Sequence, residues 1–135
     1  MSPDGRFVPP LRYRSTPRRR ILVVDDSIDA ADSLAMLLRH LGHDVQVAHD
    51  GHAALEAARL NRPQVVLLDL GMPGVNGYRV VERLRGESGF GGIPFVAVTG
   101  TGEPEVRERT RAAGFTAHVV KPVSLEALQT LLERL

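Results

Sequence analysis

The 135-residue chain reads as an α/β domain, a doubly wound parallel sheet assembled from five βα units. Three observations predict this. From residue 21 onward, short β-branched apolar runs alternate with stretches whose apolar residues recur every three or four positions. The runs are continuously apolar, as expected of strands covered by helices on both faces. Polar residues gather where the runs end, which is where ligands sit in such sheets.

The first strand is predicted over 21–25. The helix after it carries Ile28, Ala31, Leu34, Ala35 and Leu38 on one face and closes near Gly42, a residue suited to a helix end. A second strand follows over 45–48, and Asp50-Gly51 starts a helix over about 52–60. The third strand, 65–69, leads through a Gly- and Pro-containing loop to a helix over about 77–85. The fourth, 95–99, precedes a helix over about 104–113, whose Pro104 is tolerated in a first turn. The fifth, 117–120, is followed by Ser124, a helix-start residue, and a helix over about 125–134.

Composition narrows the chemistry. Cysteine is absent, which excludes a disulfide framework, a thiolate metal site and a thiol nucleophile. No stretch approaches the roughly 18 apolar residues of a membrane span, and the N-terminus lacks a signal-peptide core, so the expectation is a soluble cytoplasmic chain with no membrane association. The formal net charge of +1 hides an asymmetry: residues 1–20 hold six Arg against one Asp, leaving 11 basic and 15 acidic residues after them. Residues 1–19, which also hold four prolines, are therefore expected to be a basic flexible arm, and 20–135 the folded domain. With only Phe7 and Tyr13 interleaved among its arginines, the arm is not expected to bind nucleic acid. Sixteen of the seventeen basic residues are Arg, and the lone Lys is Lys121. A compact ammonium differs physically from a planar guanidinium fork, so this position is expected to need one.

The strand ends carry Asp25-Asp26, Asp69, Thr99 and Lys121-Pro122. Each fits phosphate chemistry. Three crowded carboxylates call for a hard divalent cation, for which Mg²⁺ (or Mn²⁺) is suited by its preference for oxygen ligands. An aspartate among them can attack a phosphoryl group, while the cation, the ammonium and the Thr99 hydroxyl serve the phosphoryl oxygens.

D-D-S after the first strand, LLDLGMPGVNGY after the third, V-T-G after the fourth and HVVKP after the fifth resemble the signature of response-regulator receiver domains, over about residues 19–135. The resemblance implies a flavodoxin-like (βα)5 sheet of order 2-1-3-4-5, with two-component signalling rather than enzymatic turnover as the function, apart from self-phosphorylation and autodephosphorylation. It implies that Asp69 is the phosphoacceptor, that Asp25, Asp26, Asp69 and the backbone carbonyl of Gly71 hold the metal, and that Thr99 and Lys121 bind the phosphoryl oxygens. It also implies a cis Lys121–Pro122 bond. The phosphodonor would be a histidine kinase or phosphotransfer protein. A downstream protein would be met through the face formed by the fourth helix, fifth strand and fifth helix, by a monomer or a phosphorylation-dependent dimer. His118 stands where the family commonly places an aromatic that couples to the strand-four hydroxyl, and its titration would make such a switch pH-sensitive. Because the sequence closes at Leu135 without an output domain, output is expected through a partner, or the chain is a receiver piece of a longer protein such as a hybrid histidine kinase.

Other features have plainer readings. His40, His43, His49 and His52 form two His-x-x-His pairs on either side of the second strand, too far apart for one metal, and are expected at the surface. Gly71, Gly74 and Gly77 match no nucleotide-binding fingerprint. Arg107, Arg109 and Arg111 among Glu103, Glu105 and Glu108 suggest a solvated helix with local charge pairs. An aspartyl-phosphate phosphatase of the haloacid dehalogenase type is the competing class, but it needs an Asp two residues after the nucleophile, where this chain has Gly71.

Overall fold

In the computed structural model, which describes residues 17–72, 76–87 and 89–135, five strands form one parallel sheet. They are β1 (Arg20–Val24), β2 (Asp44–Ala48), β3 (Val65–Asp69), β4 (Phe95–Thr99) and β5 (Ala117–Val120), hydrogen-bonded in the order β2-β1-β3-β4-β5. The helices are α1 (Ile28–His40), α2 (Gly51–Asn61), α3 (Gly77–Gly86), α4 (Pro104–Ala112) and α5 (Leu125–Glu133). The order and the five-helix arrangement are those the sequence predicts, and strand bounds agree within a residue. Residues 1–16 of the expected basic arm, and Pro73 and Gly74, lie outside the described residues.

Every residue of β3 (VVLLD) and β4 (FVAVT) is buried, which explains their unbroken apolar character. Edge strand β2 instead alternates exposed and covered positions. Side chains alternate between two cores. Leu22, Val24, Val66, Leu68, Phe95 and Ala97 pack with α2 and α3, whereas Ile21, Val23, Leu67, Val96, Val98 and Val119 pack with α1 and α5. In register, Val24 lies opposite both Ala48 and Leu68, Asp69 opposite Val98, and Thr99 opposite Val120. The carboxyl ends are therefore level, and whatever follows each strand converges on one edge.

Side-chain caps start four helices: Ser27, Asp50, Asn76 and Ser124 accept from backbone N–H groups of the first turns of α1, α2, α3 and α5. Helix α4 has no such cap and begins on Pro104. Its one buried residue is Thr110, so it is the helix held least by the core. Its arginines are only partly the charge pairs expected. Arg111 pairs with Glu108, but Arg109 stacks over the Tyr78 ring at 4.5 Å and Arg107 Nε donates to the Gly102 carbonyl.

Gly77 opens α3 against β3, where an added Cβ would lie 2.6 Å from a Leu68 methyl and 2.9 Å from a Leu70 methyl. Gly77→Ala is accordingly expected to destabilise the domain by about 1–3 kcal/mol, read as a lowered urea midpoint with unchanged slope.

At the amino end of the sheet the last residues before β1 are tied to the domain, and one expectation needs correction. Arg18 pairs with Asp44, Arg19 donates to the carbonyls of Leu132 and Leu135 at 2.7 and 2.8 Å, and Arg20 begins β1. The correction concerns His43, which is not at the surface: it is buried, and its Nδ1 accepts the Arg19 N–H at 3.1 Å. The turn at Gly42, with φ of +96°, folds His43 under the start of β1. Burial, then the Arg19 charge, hold the His43 imidazole below its ordinary range. Its folded pKa is thus lower than its unfolded one, so the stability it contributes is complete above about pH 6.5 and is lost as acid protonates it. The melting midpoint is expected to fall between pH 7 and 5.5, and His43→Gln to flatten part of that slope. His118, shifted in the same direction, supplies another part.

Candidate functional site

Asp25 follows β1, Asp69 ends β3 and Thr99 ends β4, and all three are buried at the carboxyl edge, while Asp26 is exposed beside them. One carboxylate oxygen from each of Asp25, Asp26 and Asp69 lies within 4.8 Å of the others. Backbone geometry fixes these side chains. Asp25 Oδ1 accepts the Ser27 N–H at 3.0 Å, and Asp69 Oδ1 accepts the Gly71 N–H at 2.9 Å. Lys121 Nζ donates to Asp69 Oδ2 at 3.0 Å, and the Lys121 N–H donates to the Thr99 carbonyl at 2.8 Å. The Lys121–Pro122 peptide is cis. The lone ammonium of the chain thus reaches the central carboxylate.

The electrostatics are those of a crowded acidic pocket. The Asp25 carboxyl is raised above the ordinary range, first by burial and also by the Asp69 charge, against the lowering effects of the Ser27 N–H and Lys121. A divalent cation would oppose that rise. The donors are hard carboxylate oxygens, one of them exposed, which fits Mg²⁺ with water completing its shell. Gly71 donates its N–H to Asp69 and contributes no side chain; an added Cβ there would stand 3.3 Å from Asp69 Oδ1.

Thr99 Oγ1 accepts the Thr101 N–H at 3.3 Å, leaving its own proton available for a ligand. His118 is opposite Ala97, two positions before the Thr99–Val120 pair, so Thr99 and His118 share a sheet face. The His118 ring is half-buried, and its Nε2 finds no hydrogen-bond partner among the described residues. Burial, then Arg107, lower its pKa from the ordinary value, so the ring is neutral at pH 7.

His49 is exposed, as its sequence pattern suggested, and it also borders the site. Its Nδ1 donates to the Asp25 carbonyl at 2.9 Å, bracing the loop that carries the two acids. Its place, the residue just after β2 and next to Asp25 across the sheet, is the signal that could have found it. A cavity of about 590 Å³ opens beside Asp25 and Lys121, walled by apolar residues including Ala30, Leu34, Leu37 and Val123.

Comparison with known proteins agrees with this fold. A family model described as a response regulator receiver domain matches residues 21–133. The probable transcriptional regulatory protein TcrX of Mycobacterium tuberculosis is 38% identical over 118 residues, covering 84% of this chain and 50% of the relative. The DNA-binding response regulator MtrA of Mycolicibacterium smegmatis is 41% identical over 112 residues, covering 83% and 49%. The chain therefore spans about half the length of these curated relatives. Among solved structures, Vibrio cholerae chemotaxis response regulator CheY4 superposes with a TM-score of 0.80 at 32% identity, covering 87% of this chain and 98% of that one. A Pseudomonas aeruginosa sensor histidine kinase receiver domain, with magnesium coordinated in its active site cleft, gives 0.77 at 28% identity, covering 87% and 97%.

Proposed function

The chain belongs to the response-regulator receiver family, and from that premise we propose that Asp69 accepts a phosphoryl group from a histidine kinase or phosphotransfer protein in a Mg²⁺-dependent reaction. The observation that carries this reading is the setting of Asp69. Its carboxylate is clasped by the Gly71 N–H and the Lys121 ammonium and stands against Asp25 and Asp26. An Asp69 oxygen attacks phosphorus, the new O–P bond forms as the donor's N–P bond breaks, and the electron pair leaves with the donor imidazole. Asp25, Asp26, Asp69 and the Gly71 carbonyl would hold the metal, which when bound offsets carboxylate charge and draws negative charge from the phosphoryl oxygens. Lys121 and Thr99 take up the remaining oxygen charge. The cavity beside Asp25 and Lys121 supplies a route for the donor.

The message leaves on the α2–α3–α4 side of the sheet. Thr99, drawn to the new phosphoryl group, vacates space on the face it shares with His118, and the neutral ring follows it inward. The thinly anchored α4 then shifts, presenting the α4–β5–α5 face to a partner protein or to a second phosphorylated copy. Because His118 is already neutral at pH 7, the switch responds to pH only in acid. Gly71 in place of a second catalytic Asp speaks against the phosphatase reading, and receivers serve as signalling domains. The basic arm at 1–19, the receiver at 20–135, a cytoplasmic setting and membership of either a separate regulator or a hybrid kinase complete the proposal. No described helix is long and apolar enough to cross a membrane.

Metal dependence tests the reading. With acetyl phosphate and Mg²⁺, the intact mass is expected to rise by about 80 Da, one phosphoryl group, and with EDTA it is expected to stay unchanged. Equal uptake in both conditions would remove the metal from the proposal.

A further inference from the structure

We propose that the seam between α2 and α3 is a second docking surface, for a short acidic segment of a partner protein. A groove of about 430 Å³ runs along it, with Leu55 and Val80 as its apolar floor and His52, Asn76, Arg79 and Arg83 around it. Among the described residues, no carboxylate lines this groove. Arg79 and Arg83 are exposed, four residues apart on α3, and neither side chain forms a hydrogen bond or ion pair with a described residue. Like charges one helical turn apart cost a helix stability, and the charge contact either makes within the fold is slight: Arg83 is a minor contributor, after Arg59, to holding the Glu87 carboxyl low. Two neighbouring acids are committed elsewhere: Glu87 is held by Arg59 at 2.5 Å, and Glu56 faces His52 at 3.4 Å; Glu82 shares a surface hollow with both arginines without a hydrogen bond or ion pair to a described residue.

The chemistry selects the occupant. One turn of α3 separates the two guanidinium stems by about 6 Å along the axis, matching two carboxylates one helical turn apart, and guanidinium binds carboxylate in a two-bond fork. Between them, Leu55 and Val80 offer a seat for one apolar side chain. A continuous phosphate backbone or an anionic lipid plane, whose charge extends well beyond the groove, fits poorly, because Glu82 stands beside Arg79 and Arg83 and the rest of residues 21–135 is net negative, whereas a short segment presents its carboxylates to the two arginines alone. The site is independent of phosphoryl transfer in its contacts, yet adjacent to it: Asn76, at the groove's end, caps the helix that follows the Asp69 loop.

The test uses the full chain and a fluorescein-labelled 14-residue helical peptide with two glutamates four apart beside one leucine, read by fluorescence anisotropy. Binding is expected, and the R79E/R83E double variant should weaken it roughly tenfold or more, whereas R109E on α4 should leave it unchanged. Amide shifts in the native chain should centre on Gly51, Leu55 and Val80. Phosphoryl uptake by the double variant, measured as intact mass, should match the native chain and show that it is folded. Absence of binding, equal binding by the double variant, or shifts centred elsewhere would overturn the proposal. So would equal, similarly Arg-dependent binding of oligo-dT or of phosphatidylserine vesicles.

Discussion

Asp69→Asn is expected to abolish the acetyl phosphate adduct of about 80 Da while leaving the fold intact. The carboxamide has the shape of the carboxylate but is not a nucleophile toward phosphorus, and no other group in the pocket has the same setting. Asp25 is tied to the Ser27 N–H and raised in pKa by its burial, and Asp26 is exposed with no clasp from Lys121. Asp26→Asn should therefore slow uptake through weaker metal binding without removing the acceptor. The two variants separate the roles, because the first loses the adduct at any time and any Mg²⁺ concentration, whereas the second recovers it as Mg²⁺ rises. Persistence of the adduct in Asp69→Asn would move the acceptor to another carboxylate, and peptide mapping would locate it.

What the sequence made legible and what it hid divide along a physical line. Contacts set within one element, or by the convergence of parallel strands at one edge, could be read directly. The continuously apolar β3 and β4 imply full burial, and the strand-end rule by itself brings Asp25, Asp69, Thr99 and Lys121 together. Side-to-side contacts of single residues across those strands were not read, although the expected order already set β2 beside β1. His49 reaches the Asp25 carbonyl only because β2 pairs with β1, and His43 is buried only because the Gly42 turn carries it beneath β1. The contacts of Arg18 and Arg19 were hidden by composition: averaged with the arginines and prolines before them they look solvated, yet each is matched to a particular acid or carbonyl. The clamp formed by Arg85 has the same character. It donates to the carbonyls of Gly91 and Gly114 and stacks over Phe95 at 4.5 Å, tying two loops that lie far apart in sequence.

The same line bears on the lone lysine. Lys121→Arg preserves the charge, and by composition alone it is the mildest change the chain could undergo, since every other basic residue is already Arg. The geometry predicts a large effect. The backbone at Lys121 is pinned by its N–H to the Thr99 carbonyl at 2.8 Å, and the ammonium meets a single oxygen, Asp69 Oδ2, at 3.0 Å. The other oxygen, Oδ1, is already engaged by the Gly71 N–H at 2.9 Å. A guanidinium is longer and planar and seeks both carboxylate oxygens at once. It would compete with Gly71, hold the carboxylate away from an attacking alignment, and fill volume that the phosphoryl oxygens require. The initial rate of adduct formation is expected to fall on the order of a hundredfold, the scale set by loss of one well-placed charge donor. Thermal stability should change little because the ion pair survives. An unchanged rate would mean that Lys121 acts only as surface charge and that the absence of Lys elsewhere carries no information. A rate loss accompanied by an equal loss of Mg²⁺ affinity would place the effect on the acidic cluster instead of on the phosphoryl group.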